Sequence, residues 1–343
     1  MVARPTIALI VPTYNMAEHL EPLWASFKAA GLLETLTEII FVDDGSTDET
    51  PHQLQQLATQ HDHVAVVTLP ENQGRFCARQ QGAVRATSER LLFIDSRITV
   101  PSGFADALQQ VAQTASNVVG CIDIDTTLNI YCLYWQRTHE FIFWRHYRDT
   151  QVPLLLTPAN YDQYLKGTTL FLCSRNLFIT SCNAFGDTVP LNDDTTLMRL
   201  MVEHEPLVVH PALRGNWVPR GTLLAFLERL WERGPQFAEY HLFQRQGFFF
   251  WAVVLGLLIA AGLLWLSLLD PQHGLTLWAG ILVLVTLSTT LLSKSFREFF
   301  LLAPLHVTVV FTCGLSVVRG ILYHCWPFTR FRANRGSFTN QAT

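Results

Sequence analysis

Carboxylates recur in this 343-residue chain where apolar runs give way to polar ones. Asp43-Asp44-Gly45-Ser46 follows one such run, Asp95-Ser96-Arg97 follows another, and Asn192-Asp193-Asp194 opens the stretch Thr195-Thr196-Leu197-Met198-Arg199. Pro12-Thr13-Tyr14-Asn15 closes a third apolar run, and Asn72-Gln73-Gly74 with Ala78-Arg79 lies between the acidic clusters. A tyrosine at the end of an element can stack on or flank a nucleobase, and a carboxylate there can accept a hydrogen bond from a base N–H. Clustered carboxylate oxygens suit hard divalent cations, and a carboxylate beside a hydroxyl can take its proton. Plainer roles compete. Asp-Gly-Ser is an ordinary turn, Asp43 reads as a turn former and Asp48 as a helix N-cap, and acids at a helix start complement its dipole.

The elements that must position these residues alternate in type over the first 125 residues. Short apolar runs at Ile7–Val11, Glu38–Val42, Val64–Leu69 and Leu91–Ile94 read as strands, with Val118–Ile122 as a fifth. Amphipathic stretches at Ala17–Ala30, Asp48–Gln60, Phe76–Thr87 and Gly103–Ala115 read as the helices between them. Such alternation predicts an α/β, mostly parallel sheet covered on both faces, whose ligands bind at the carboxyl ends of the strands. The polar clusters fall at those ends. Tyr131 to Arg148 is aromatic and basic, and reads either as a core-facing helix or as an acceptor or membrane-surface element.

Composition separates the C-terminal third from the rest. Charged residues make up 15% of the chain, against about a quarter in ordinary soluble domains. Between Phe248 and Val318 the only fixed charges are Asp270, Lys294, Arg297 and Glu298. Residues 222–246 predict an amphipathic helix at a membrane interface, with a docking helix as the other reading. Residues 248–269 and 274–292 are each long enough to cross a bilayer, and the turn Asp270-Pro271-Gln272-His273 makes them a hairpin. The segment 299–318 contains Pro304 and His306 and precedes Arg319, Arg330, Arg332 and Arg335. The positive-inside rule then favours a re-entrant or interfacial segment over a spanning one. The expected organisation is a catalytic domain over 1–221, an interfacial region over 222–246, a membrane region over 247–325 and a basic tail over 326–343. The net charge of −4 argues against a nucleic-acid partner. Seven cysteines without a CxxC pair fit reduced thiols facing a cytosol, and no signal pattern precedes the first apolar run.

The ordered set Val11-Pro12-Thr13-Tyr14-Asn15, Val42-Asp43-Asp44-Gly45-Ser46-Thr47-Asp48, Asn72-Gln73-Gly74 with Ala78-Arg79, and Leu92-Phe93-Ile94-Asp95 resembles the family 2 glycosyltransferases. These are inverting enzymes of the GT-A fold, Rossmann-like, that use nucleotide-sugar donors. The resemblance covers roughly residues 6–220. It implies that Asp44 reads the donor base, with Tyr14 and the Pro12 backbone beside it, and that Arg79 lies near the base and phosphates. Lys166-Gly167-Thr168-Thr169-Leu170-Phe171-Leu172 resembles the family strand before the acceptor loop. Cys182-Asn183-Ala184-Phe185-Gly186-Asp187 stands where the family often has Gly-Gly-Phe-Asp, and Asn192 to Arg199 resembles its Glu-Asp-x-x-Leu-x-x-Arg helix start. The resemblance makes Asp194 the base that deprotonates the acceptor, with Asp193 orienting it or the acceptor.

Two positions depart from the family pattern. Its Asp-x-Asp, which holds a Mg or Mn cation on the donor diphosphate, reads Asp95-Ser96-Arg97 here, and Trp217 stands where a metal-binding histidine often falls. One reading gives Arg97 the charge-neutralising task on the diphosphate, since a guanidinium grips such oxygens in a fork. The other keeps a divalent cation on Asp95 and makes Arg97 a strand end. The implied function is transfer of a sugar from a nucleotide-sugar to a lipid-linked or other membrane acceptor, at the cytoplasmic face of the cell membrane. It would serve cell-envelope polysaccharide or glycolipid synthesis. A processive synthase fits less well, because Glu228 to Gly234 does not match its Gln-x-x-Arg-Trp segment. The competing reading is a catalytically silent relative that binds a nucleotide-sugar or scaffolds a membrane assembly.

Overall fold

The computed structural model describes residues 5–186, 191, 193–245 and 249–325, with Asp193 as backbone alone. Asp187, Asn192, the Asp193 side chain and the tail 326–343 therefore lie outside the described residues. The chain divides into two compact units. One takes Met1–Asp125 and Arg145–Val218; the other takes Thr126–Trp144 and the described residues from Pro219 on. The aromatic stretch near residue 131 thus belongs with the C-terminal helices rather than with the sheet.

The first unit is built on nine strands: β1 (Ile7–Thr13), β2 (Glu38–Asp43), β3 (Val64–Thr68), β4 (Arg90–Ile94), β5 (Ile98–Thr99), β6 (Val118–Ile124), β7 (Leu154–Leu156), β8 (Leu170–Ser174) and β9 (Leu207–Trp217). Its helices are α1 (Ala17–Ala29), α2 (Leu32–Thr35), α3 (Thr50–Gln60), α4 (Arg75–Arg85) and α5 (Phe104–Thr114). After α6 (Ile130–Ile142), which belongs to the second unit, come α7 (Trp144–Asp149), α8 (Arg175–Asn183) and α9 (Asp193–His204). The sheet order is β3-β2-β1-β4-β8-β6-β9-β5, with β7 also on β9. The expected strand–helix alternation appears through residue 125. The group of four formed by β3, β2, β1 and β4 is parallel throughout.

β8 breaks that pattern by pairing antiparallel with both β4 and β6, so the sheet is mixed. Six strands run one way, and β5, β7 and β8 run against them. Alternate strand residues feed two apolar layers. Ala8, Ile10, Ile40, Val42 and Phe93 pack on the face covered by α4, α8 and α9. Leu9, Val11, Phe41, Leu92 and Ile94 pack on the face covered by α1 and α5. This is the period-2 division that a sheet buried on both faces requires.

Helix α4 sits close to the sheet because its third turn carries Gly82, where a Cβ would stand 2.5 Å from Ile10 Cγ2 and 3.1 Å from Val42 Cγ2. Gly45, in the turn after β2, has φ +70°, and a Cβ there would meet the Glu71 backbone at 2.6 Å. The glycine of the Asp-Asp-Gly-Ser run is therefore required twice, by its left-handed backbone and by the loop that crosses it.

The second unit contains α6, α10 (Leu223–Ala238), α11 (Phe250–Leu269), α12 (Pro271–Ser288) and α13 (Phe296–Cys325). A π-helical turn, Glu239–Phe243, extends α10. Three helices, beginning at Phe250, Pro271 and Phe296, are long and apolar enough to cross a membrane. The segment 299–318 lies inside one uninterrupted helix of 30 residues. Pro304 does not end that helix, standing in its third turn. Residues 222–246, read above as interfacial, give α10, whose Phe226, Leu230, Gly234, Pro235 and Ala238 are buried. That face is covered by α13: the Ser316 hydroxyl donates to the Trp231 carbonyl at 2.9 Å, and a Cβ on Gly320 would stand 2.6 Å from the Gly234 carbonyl. Small residues let the two backbones approach.

Gly45→Ala should lower stability by about 1–3 kcal/mol, the scale of one strained backbone position, read as a drop in melting temperature. Gly256→Ala in α11, with nothing within 4 Å of its Cβ, should leave the melting temperature in place.

Candidate active site

The carboxyl ends of β1, β2 and β4 lie side by side because their register is parallel: Thr13 pairs with Asp43 and Ile10 with Phe93. The loops beyond them are tied together. Asn15, at φ 50°, donates its N–H to Ser46 Oγ at 2.9 Å, and its side-chain oxygen accepts from the Thr47 N–H at 2.8 Å. Asp43 Oδ1 accepts from the Ser46 N–H at 3.1 Å, which is the turn-forming role. Asp48 accepts from the N–H groups of Thr50 and Ala17, holding the starts of α3 and α1. Tyr14 is 43% exposed on the rim of this loop cluster.

Asp44 is buried, and its two oxygens accept from the Gln73 N–H at 2.7 Å and the Gly74 N–H at 2.9 Å. Burial raises its pKa, and these two amides oppose the rise. Its visible work is to clamp the loop that starts α4, so Asn72-Gln73-Gly74 and Asp-Asp-Gly-Ser are one structural motif joined through a carboxylate. Gly74, at φ 92°, caps α4 and brings Arg75 and Arg79 onto the site.

Arg79 occupies the centre. Its side chain is buried, Nη2 donates to Asp95 Oδ1 at 2.6 Å, and Nη1 donates to Asp194 Oδ1 at 2.7 Å. Rather than standing open toward a ligand, this guanidinium joins the two carboxylates the sequence picks out separately. The buried Thr168 hydroxyl adds a third contact, donating to Asp194 Oδ1 at 2.7 Å. β8 explains how residues so distant meet. Because β8 is antiparallel to β4, its amino end lies at the carboxyl end of β4, and the Asp95 N–H donates to the Thr169 carbonyl at 2.9 Å. Arg75 Nη1 stands 3.8 Å from Asp95 Oδ2. Sequence reading missed Arg75 and Thr168, although Thr168 lies inside a motif it quoted and Arg75 directly follows another.

A second cluster fixes the start of α9. The buried Tyr161 hydroxyl donates to the Thr195 carbonyl at 2.6 Å, Lys166 Nζ donates to the Tyr161 carbonyl at 2.7 Å, and Arg199 pairs with Asp162. Burial lowers the Lys166 pKa to about 8.

Asp95, Arg97 and Trp217, the positions where the chain departs from a metal-binding pattern, prove to be neighbours. Ile98 pairs with Trp217 across β5 and β9, and the Val218 N–H donates to the Arg97 carbonyl at 3.1 Å. Burial depresses the pKa of His19, and the Arg97 charge adds to the effect. Among the described residues no group of three His, Cys, Asp or Glu side chains could hold a metal ion. Asp95 is joined to a guanidinium, with a second arginine at its other oxygen. The described side chains therefore do not make a cation site of their own, since a hard cation needs several oxygen ligands. His210 is structural: its Nδ1 accepts from the Ala212 N–H at 3.2 Å, beside the irregularity in β6–β9 pairing.

Two outcomes check this arrangement. Arg79→Met leaves two carboxylates without their shared cation and should destabilise the protein by about 3–5 kcal/mol, measured by denaturant unfolding. For Lys166, the native pKa of about 8 lies below the ordinary value of 10.5. From pH 8 to 10 the native state therefore binds fewer protons than the unfolded state, and stability rises with pH. The wild type should gain stability over Lys166→Met across that window, as read by melting temperature, with no relative change between pH 6 and 7.

Comparison with known proteins agrees with this fold. The family model described as "Glycosyl transferase family 2" matches residues 8–168. Glycosyltransferase AglE of Haloferax volcanii is 29% identical over 91 residues, covering 26% of this chain and 30% of that protein. The undecaprenyl-phosphate 4-deoxy-4-formamido-L-arabinose transferase of Proteus mirabilis is 30% identical over 116 residues, covering 33% of this chain and 36% of that protein. The chain thus spans about a third of the length of these curated relatives. The solved structure of mannosyltransferase PcManGT from Pyrobaculum calidifontis, in complex with GDP-Man and Mn2+, superposes with a TM-score of 0.53 at 19% identity. That superposition covers 95% of this chain and 88% of that one, and it shows the fold. The family match places residues 8–168 in glycosyl transferase family 2, and the mixed Rossmann-like sheet and the superposition give the chain a GT-A fold.

Proposed function

We propose that the chain is an inverting glycosyltransferase that moves a sugar from a nucleotide-sugar donor to a lipid-linked acceptor at the cytoplasmic face of a cell membrane. The observation that carries this reading is the Arg79 bridge, which gathers Asp95 and Asp194 at the carboxyl end of the parallel strands, where such sheets bind ligands. The apolar helices of the second unit account for the membrane, and an undecaprenyl phosphate transferase among the relatives agrees with a lipid-linked acceptor.

The residues take these parts. Tyr14 flanks the donor base, the Pro12 backbone and Asp44 line the base pocket, and Asp44 also keeps the α4 loop in place. Asp194 takes the proton of the acceptor hydroxyl as its oxygen attacks the anomeric carbon. The bond to the leaving diphosphate breaks with its electron pair, and the configuration inverts. Thr168 and Arg79 orient the Asp194 carboxylate; Asp193 is the adjoining acid at the same helix start. Arg97 and Arg75 supply positive charge to the leaving diphosphate, a task for which guanidinium forks suit phosphate oxygens. A divalent cation, if carried in by the donor, would have Asp95 as its carboxylate ligand.

Asp194→Asn should lower transfer by about 100-fold or more, the scale of general-base catalysis, while donor affinity measured by calorimetry stays within about threefold. Near-normal turnover would remove Asp194 from the base role. Purified enzyme in EDTA should keep at least a tenth of its transfer rate; loss to background with recovery in Mn2+ would overturn the arginine-based reading of the diphosphate site.

A further inference from the structure

Helix α13 has two unlike faces, and each runs its full length. One face, Leu302, Leu305, Val309, Ser316 and Gly320, is buried. The opposite face exposes Phe300, Pro304, Phe311, Leu315, Val318 and Leu322, which recur at spacings of three, four and seven and so form one straight stripe. The helices that cover the buried face bring charged and polar groups against it. At the amino end, α6 contributes Arg137, which donates twice to Glu298 at 2.9 and 2.7 Å and also pairs with Glu140. Lys294 Nζ stands 2.6 Å from Glu140. In the middle, the Tyr134 hydroxyl meets His306 Nδ1 at 2.8 Å. At the carboxyl end, α10 packs through Gly234 while carrying Glu228, Arg229, Glu232 and Arg233. Arg319 stacks on Trp231 at 5.2 Å and donates to its carbonyl at 3.0 Å.

These contacts extend from Glu298 to Arg319, about 30 Å of helix at 1.5 Å per residue. That is about the full hydrocarbon thickness of a bilayer. Were α13 to cross, the charges of α10 would be drawn into hydrocarbon beside it, where an ionisable side chain facing lipid carries a high cost. Helix α11 differs sharply. It has no buried residue over twenty positions, as a lipid-surrounded span should.

We infer that α13 lies along the bilayer surface with its Phe300-to-Leu322 stripe in the acyl boundary and α6 and α10 above it on the water side, so that only α11 and α12 cross. The occupant of the exposed stripe is lipid, continuous with the lipid around α11. The inference rests on the membrane attachment proposed above and is independent of transfer activity.

The test uses the full chain in sealed vesicles. The native thiol Cys325, exposed at the end of α13, is labelled with a membrane-impermeant maleimide, and Cys325→Ser gives the background. Cys325 should react from the same side as Glu71→Cys in the catalytic unit, and His273→Cys in the α11–α12 turn from the other side. Nitroxide labels at Phe300, Phe311 and Leu322 should report similar shallow depths, about 5–10 Å into the acyl boundary. Reaction of Cys325 from the His273 side, or a depth at Phe311 well below both flanking positions, would overturn the in-plane helix. If Cys325 reacts from neither side, the depth profile decides. A chain that fails to co-float with vesicles would overturn membrane attachment and the inference together.

Discussion

A single guanidinium carries the site. Arg79 is buried, and a buried cation is tolerated only when its hydrogen-bonding directions meet acceptors of opposite charge. Two of those directions meet Asp95, sixteen residues away in sequence, and Asp194, 115 residues away. The end of β4 and the start of α9 are thereby held at a fixed distance through a planar fork, which a lysine point charge could not span in the same way. The depth of Arg79 depends in turn on α4 lying against β1 and β2 at Gly82. A change in that helix–sheet contact would reach the carboxylates directly.

Around this centre, the loops at the strand ends are held by backbone amides bonded to side chains rather than by burial. Asn15, Asp43, Asp44 and Asp48 each accept from N–H groups of a loop, and three of the four reach a different loop from their own. Short acidic and amide side chains do this well, because their acceptors sit close to the main chain and satisfy donors that strands leave unpaired at their ends. Asp44 shows how one residue serves two ends. Its clamp on residues 73 and 74 makes the turn after β2 and the placement of Arg79 parts of the same construction.

The C-terminal unit follows a different physical rule. In a soluble core an apolar face is evidence of a partner helix; here α11 and α12 expose theirs, while α13 exposes one face and buries the other. Length and hydropathy alone treat the three helices alike. They are told apart by what stands on the covered side, and the charges of α6 and α10 set α13 apart from the other two.

Much of this was legible in the residues. Period-2 and helical patterns gave the longer elements of the first 125 residues to within a few positions, though not the short α2 and β5, because each is a local statement about which side chains face a core. The order of the motifs placed Tyr14, Asp44, Asp95 and Asp194 at element ends, and the loss of charge after Phe248 marked the membrane-compatible helices. Three matters were decided only by tertiary structure. The antiparallel entry of β8 brings Thr169 to Asp95 and Thr168 to Asp194; Arg79 turns inward to join two acids; and residues 126–144 leave the sheet to pack with α10 and α13. Each depends on pairing between segments far apart in the chain, and such pairing leaves no periodic trace in either partner. Local sequence determines what an element is and which face it hides, whereas the register of β8 and the docking of α4 determine which charges meet.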